Sequence, residues 1–156
     1  MEKQFEILRK TRQFLISLLD GLPLEQLNKI PQGFNNNIIW NTGHIVAAQQ
    51  GVCYRRAGLP LVIDDTLFDK YKPESKPQEQ ATEADVAQIK ELLLSTIDDL
   101  QRDYENKKFS SYPAWTTRYG VEIKSIEDAI SFLSFHDGLH VGYAMALRRC
   151  VNAENR

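Results

Sequence analysis

Apolar residues recur at helical spacing in four segments of the chain, and this pattern constrains the fold more than any other feature. In residues 2–20, Phe5, Leu8, Leu15 and Leu19 fall near one stripe of a helix. The other three such segments span approximately residues 38–57, 82–104 and 125–150. Because no convincing strand pattern accompanies them, the sequence predicts an all-α four-helix bundle.

Residues that cap helices stand at the starts of these segments. Asn36 or Asn37 precedes the second segment and can accept a hydrogen bond from its first turn. Thr82 and Ser125 begin the third and fourth segments, and each is followed three residues later by an aspartate, a variant of the capping box. Gly58 follows the second segment and predicts its end.

A long connection over residues 58–81 separates the second and third helices. Structureless connections of this length are uncommon in compact domains and usually have a purpose. This one can run the length of a helix, so we expect a crossover that makes the second and third helices parallel. Shorter connections are predicted at 24–30, with one or two helical turns, and at 107–123, an ordered loop with short extended pieces. No domain boundary is evident, so residues 1–156 are expected to form one domain.

Charge and composition argue against several classes of function. The net charge is −2 and the basic residues are dispersed, so nucleic-acid binding is not expected. No apolar run approaches the roughly 20 residues that span a bilayer, and the charged N-terminus does not resemble a signal peptide. We therefore expect a cytoplasmic protein. The two cysteines, Cys53 and Cys150, are interpreted as small apolar helix residues.

The histidines point to a metal site. The chain has three, and His136 and His140 stand four residues apart, which places both on one face of a helix. His44 lies in the second segment, beside small residues that leave room for a ligand: Gly43, Ala47, Ala48 and Gly51. Three histidines with an open fourth position are typical of a reactive metal rather than a structural one. The alternative is that these rings bind no metal and only form hydrogen bonds with Asp or Tyr side chains. The sequence HDGLH leaves this alternative open because it lacks the glutamate of the HExxH motif of metalloproteases.

Helix geometry identifies candidates for a supporting shell around the metal. Asn41 precedes His44 by three residues and is a candidate to orient a ligand or a water molecule. Tyr143 follows His140 by three residues, so its hydroxyl is a candidate to face the open metal position. Asp137 lies about 100° around the helix from its neighbour His136, so we expect it to support a ligand from behind or to be exposed, and not to bind the metal directly.

Aromatic residues are candidates for the wall of the site. Trp40 precedes His44 by four residues and is expected to line the core or the pocket. Trp115 and Tyr112 lie in the loop before the fourth helix and are candidates to cover the mouth of the site. Core packing or exposure is the alternative for each of these loop aromatics.

Two segments carry a resemblance to a known family. NIIWNTGHIVAAQQ and SIEDAISFLSFHDGLHVGYAMALRR, together with the long link and the Tyr-Pro loop, resemble the DinB-like superfamily of metal-binding four-helix bundles, which includes YfiT-like proteins. The resemblance covers essentially the whole chain. Two positions differ from the usual pattern: Asp137 stands where Glu is frequent, and Tyr143 where Gln is frequent.

The resemblance implies a fold, a cofactor and a type of chemistry. It implies an up-down-down-up bundle, a divalent metal, zinc or nickel, bound by His44, His136 and His140, and a homodimer. Several members of the family are thiol-S-transferases or thiol-dependent isomerases that use low-molecular-weight thiols. The resemblance therefore implies a small-molecule substrate as the partner, with such a thiol among the candidates. A thiol-S-transferase-like enzyme is the leading hypothesis. A metal-dependent hydrolase and a non-catalytic, stress-associated metal-binding bundle remain as alternatives.

Overall fold

A computed structural model describes residues 1–153 of the chain and shows a predominantly helical protein. The predicted all-α class is therefore confirmed. Within these residues the α-helices are α1 (Glu2–Asp20), α2 (Leu24–Asn28), α3 (Ile38–Gln49), α4 (Asp65–Tyr71), α5 (Glu83–Glu105) and α6 (Ile126–Ala153). The two short strands are β1 (Trp115–Thr116) and β2 (Glu122–Ile123), which pair antiparallel.

The helix starts follow the predicted capping residues. Asn37 accepts a hydrogen bond from the backbone N–H of Trp40 at the start of α3. Thr82 and Asp85 form a reciprocal capping box at the start of α5. At α6 the hydroxyl of Ser125 accepts from the Asp128 backbone, while the Asp128 carboxylate accepts from the Lys124 N–H. The sequence therefore located these three helix starts to within a residue.

Two features of the fold depart from the sequence-based expectation. The second predicted helix is not α-helical throughout, because Gln50–Arg55 continue α3 as a π-helix. The connection over 58–81 is not structureless either, because it contains α4, whose start is capped by the Asp64 side chain. Phe68 and Tyr71 of α4 are buried, so this short helix is stabilised by packing against the bundle rather than by its own length.

Contacts among the four long helices define their arrangement. Helix α1 packs against α5 and α6, and α3 packs against the same two helices. Between α1 and α5, Arg9 contacts Asp98 whereas Asp20 contacts Lys90, so these helices run in opposite directions. Apolar side chains of the four long helices fill the interior in two clusters, one of which contains Leu93 and the other Leu133.

The same kind of comparison gives the direction of α5 relative to α3. Gln49 of α3 donates to the Thr96 carbonyl, and Tyr54, one turn further along, donates to Asp103. Along this stretch the order of the contacts is the same in both helices.

None of the helices within residues 1–153 combines the length and the apolar character that crossing a lipid bilayer would require.

Candidate metal centre

The three histidines of the chain meet between α3 and α6. The ring centroid of His44 lies 5.3 Å from that of His136 and 4.7 Å from that of His140. The centroids of His136 and His140 are 4.6 Å apart. Potential ligand nitrogens, one from each ring, all lie within 4.8 Å of one another. Zn–N bonds are about 2.0–2.1 Å long, so small side-chain rotations suffice to bring all three nitrogens onto one ion.

Hydrogen bonds to Nδ1 orient two of these rings. The Nδ1 atom of His44 lies 2.7 Å from the Tyr71 carbonyl oxygen, and that of His140 lies 3.0 Å from Oδ1 of Asn41. A carbonyl oxygen can only accept, so each Nδ1 carries the proton and each Nε2 keeps a free lone pair. Metal-binding histidines are commonly oriented by such hydrogen bonds on the nitrogen that does not bind the metal.

The amide of Asn41 is itself fixed. Its Nδ2 donates to the Asn37 carbonyl at 2.8 Å, which leaves Oδ1 to face His140. The structure thus places Asn41 against a histidine of α6 rather than against His44, its neighbour on α3. The side chain joins the two helices at the site.

The carbonyl that orients His44 belongs to α4, which the sequence did not predict. Gly43 is what lets this helix approach, because a Cβ at that position would lie 2.6 Å from the Tyr71 ring. The small side chains further along α3, Ala47, Ala48 and Gly51, line the adjacent pocket. The small-residue face therefore serves both a helix and a cavity.

His136 has a different kind of neighbour. Its Nδ1 lies 3.8 Å from Oδ1 of Asp137, a distance for electrostatic attraction but too long for a hydrogen bond. Neither of these two atoms has a hydrogen-bond partner among residues 1–153. The carboxylate is fully buried, which excludes the exposed position that was one of the two expected for Asp137.

A buried arginine holds that carboxylate. Nε of Arg12 donates to Oδ2 of Asp137 at 2.9 Å, and Nη1 donates to the side chains of Gln49 and Thr96 at 2.7 and 3.2 Å. Burial by itself would raise the pKa of Asp137, but the charge of Arg12 and its hydrogen bond outweigh burial and hold that pKa below its ordinary value. The sequence did carry a signal for Arg12, since it occupies a position of the α1 apolar stripe between Leu8 and Leu15.

Burial also keeps two of the histidines, His44 and His140, neutral. Desolvation lowers the pKa of His44 to about 4, partly offset by its hydrogen bond to Tyr71. Desolvation, followed by the neighbouring imidazoles, lowers the pKa of His140 to about 3. The neutral imidazole is the form that binds a metal ion, so at neutral pH no proton competes at these two positions.

The triad lies at the wall of a pocket of about 930 Å³. Trp40, Trp115 and Tyr143 line this pocket, as does Asn41. The Trp40 ring stacks on His44 with centroids 4.8 Å apart. Tyr143 is 47% exposed and packs edge-on against Phe34, so it forms part of the rim, and no contact of its hydroxyl with the triad is observed within residues 1–153.

The loop before α6 contributes the opposite wall. Nε1 of Trp115 donates to the Tyr112 hydroxyl at 3.0 Å, and that hydroxyl donates to the Val52 carbonyl at 2.7 Å. Trp115 thus lines the pocket, while Tyr112 supports it from behind. The cysteines are not part of the pocket lining: both are free, and burial raises the pKa of the Cys53 thiol well above its usual value.

Comparison with known proteins assigns the chain to a family. No protein in a search of curated sequences matches it detectably. A family model described as the DinB superfamily matches residues 7–144, a range that includes all three histidines and the four long helices in whole or in large part. The chain belongs to the DinB superfamily.

Proposed function

We propose that this protein is a metal-dependent enzyme that transfers a low-molecular-weight thiol to a small electrophile. The observation that carries the proposal is the histidine triad at a pocket wall, with the Nε2 lone pairs of His44 and His140 left free by their Nδ1 hydrogen bonds. His44, His136 and His140 would hold a divalent ion, zinc or nickel, with neutral nitrogen ligands that suit both metals. Such an ion lowers the pKa of a coordinated thiol or water, which is the chemistry that thiol transfer or hydrolysis needs.

The surroundings of the triad favour a thiol over water as the nucleophile. Hydrolysis commonly employs a carboxylate as general base, but the only acidic residue that lines the pocket, within the described part of the chain, is the exposed Glu74. Asp137 is engaged by Arg12 behind the ligands. In thiol transfer the S–H proton passes to solvent, the sulfur electron pair forms a C–S bond, and the leaving group departs with the pair of the broken bond. No protein base is needed.

The metal content of the protein is the first test. Protein purified without an affinity tag should contain about one divalent ion per chain by plasma mass spectrometry, and His136→Ala should lose it. The metal-loaded protein should then join a thiol such as cysteine or glutathione to a chromogenic aryl halide faster than the metal-free protein does. Because Cys150 is a free, half-buried thiol, Cys150→Ser is the matched control and should keep full activity. Loading with metal and no rate enhancement for any thiol would refute the transfer reaction.

Hydrolysis is a second candidate, which the donor set itself supports. Three histidines with one open position are also the ligands of zinc enzymes that activate water. Ester and amide hydrolysis by the metal-loaded protein, absent in His136→Ala, would favour this reaction over thiol transfer.

The non-catalytic alternative makes a different prediction about stability. A structural metal contributes its binding free energy to folding, so its removal should lower the melting temperature by many degrees. The bundle buries an extensive apolar core without the triad, so we expect a chelator to remove the metal and leave the fold largely intact.

We also propose that the protein forms a homodimer through α6. Phe135, Leu139 and Tyr143 are each more than 40% exposed and follow one another at four-residue spacing on that helix. Gly138 and Gly142 lie beside this stripe, and no atom would contact a side chain added at either. A second copy could therefore approach closely and bury the apolar stripe against its own. Sedimentation equilibrium should show a dimer that Phe135→Glu dissociates, and a monomeric wild-type protein would refute the proposal.

The remaining proposals concern topology and location. The paired contacts of α1 with α5 and of α3 with α5 support the up-down-down-up order of the four long helices. The free state of Cys53 and Cys150 supports a reducing compartment, for which we propose the cytoplasm.

A further inference from the structure

Three arginines line the pocket beside the triad. Arg55 is the last residue of the π-helix that continues α3, Arg56 follows it directly, and Arg118 follows β1 in the loop before α6. Glu74 is the only carboxylate in the pocket lining within residues 1–153. The pocket therefore carries an excess of two positive charges in a chain whose net charge is −2.

Two of the guanidinium groups are held in place by aromatic rings. Cζ of Arg55 lies 4.0 Å from the centroid of the Phe68 ring, and Cζ of Arg56 lies 3.8 Å from that of Trp115. Both rings line the pocket. Stacking uses the face of a guanidinium and leaves its in-plane N–H donors free, so each arginine is oriented without being neutralised.

Carboxylates of the protein do little to satisfy these donors. The ion pair of Arg55 is with the exposed Asp65, at 3.8 Å. Arg56 and Arg118 have no ion pair with any residue in 1–153. Besides burial, the main cause, the positive charge of Arg118 contributes to the lowered pKa of His44, so its field reaches the triad.

We propose that the pocket binds a small molecule bearing an oxyanion group, a carboxylate or a phosphate, through Arg55, Arg56 and Arg118. This inference rests on the proposed function in one respect, that the rest of the bound molecule reaches the histidine triad. Planar guanidinium groups match the two oxygens of such an anion, and the aromatic rings beneath them offer apolar surface to the remainder of the molecule. A volume of about 930 Å³ is ample for a molecule larger than a simple inorganic ion.

Calorimetric titration with matched probes tests the inference without relying on catalysis. Succinate and glycerol 3-phosphate supply the two kinds of anion, and succinamide and glycerol are their uncharged counterparts. Each probe is titrated into metal-free and zinc-loaded protein. We expect at least one anion to bind at least tenfold more tightly than its uncharged counterpart in both forms of the protein. The two anions show whether carboxylate or phosphate is preferred.

Variants locate the binding to the pocket. Arg56→Gln and Arg118→Gln should each weaken anion binding by about tenfold, which corresponds to about 1.4 kcal/mol. Arg149→Gln is the matched control, because that arginine is exposed on α6 and does not line the pocket. Circular dichroism confirms that each variant is folded.

The outcomes separate this inference from the proposed function. Arginine-dependent anion binding to the metal-free protein supports the inference even if no thiol is transferred. Anion binding that requires zinc but is unchanged in both arginine variants overturns it and leaves the metal site standing. Equal affinity for charged and uncharged probes overturns it as well.

Discussion

Two polar clusters meet at α6, where His136 and Asp137 are neighbours, and the two clusters are built in different ways. Arg12 and Asp137 are wholly buried and bond to each other and, through Arg12, to Gln49 and Thr96, whereas Nη2 of Arg12 and Oδ1 of Asp137 have no partner within residues 1–153. The histidine triad lies beside them at a pocket, with ring nitrogens of His44 and His140 left unpaired. A charge pair enclosed in the core links helices to one another, whereas ring lone pairs held toward a cavity are available to a ligand.

The two clusters are also joined. Asp137 follows His136 directly in α6, so the Arg12 pair that ties α1 to α6 also fixes the helix turn that carries a histidine. The rigidity of the first cluster thus supports the geometry of the second.

The largest effect should come from breaking the buried pair. Arg12→Met leaves the Asp137 carboxylate buried without its cation and should lower the free energy of unfolding by about 3–5 kcal/mol in urea titration. The double variant Arg12→Met/Asp137→Leu replaces both charges with apolar groups and should recover most of that loss. A single variant within about 1 kcal/mol of wild type would show that the pair is not structural.

The next effect concerns pH and the triad. In the metal-free protein, His44 has a folded pKa of about 4, below its usual 6.5, so the unfolded state binds a proton first as the pH falls. The contribution of neutral, buried His44 to the free energy of unfolding is therefore fully present above pH 6.5. It is lost progressively as the pH falls to about 4. Between pH 7.5 and pH 5 the loss should be about 2 kcal/mol for this residue by urea titration.

Comparison with a variant isolates that effect. His44→Gln should lose less stability over the same pH interval, and the part contributed by His140 should remain. The Arg12–Asp137 pair should contribute nothing there, because the pKa of Asp137 is already held below its usual acidic value. An equal pH dependence in wild type and variant would assign the acid sensitivity to other groups.

A smaller effect should follow from changing the support of one ligand. Asn41→Ala removes the acceptor for Nδ1 of His140 and should weaken zinc binding by about 10–100-fold in a competition titration with a chelator. Asn41→Asp keeps an oxygen at that position and should retain most of the affinity. If both variants bind zinc like wild type, the hydrogen bond does not orient the ligand.

Sequence reasoning predicted the parts of this structure that depend on local pattern. Apolar spacing and capping residues located the long helices, and the four-residue spacing of His136 and His140 located the site, because both patterns are set within one helix. The helix α4 was missed because its stability comes from burying Phe68 and Tyr71 against distant residues.

The pocket arginines were missed for a related reason. They are exposed residues whose proximity to the triad depends on the π-helical turn and on the loop that follows β1. Neither feature leaves a periodic signal in the sequence. Arg12, by contrast, does leave a signal in the sequence. A charged residue within an apolar stripe indicates a buried side chain with a partner, and its position alone was enough to predict one.

The smallest predicted effect comes from a second arginine of α1, and it tests the role of burial directly. Arg9 contacts Asp98 of α5, less than one helical turn before Arg12, but Asp98 is 62% exposed. Because water screens the exposed pair, Asp98→Ala should lower the free energy of unfolding by only about 0.2–1 kcal/mol in urea titration. The two arginine–aspartate pairs of α1 would then differ several-fold in how much free energy of unfolding is lost when one partner is replaced. The reason is that only the buried pair leaves behind a charge that water cannot reach. A loss for Asp98→Ala equal to that for Arg12→Met would attribute the stability to charge pairing itself and not to burial.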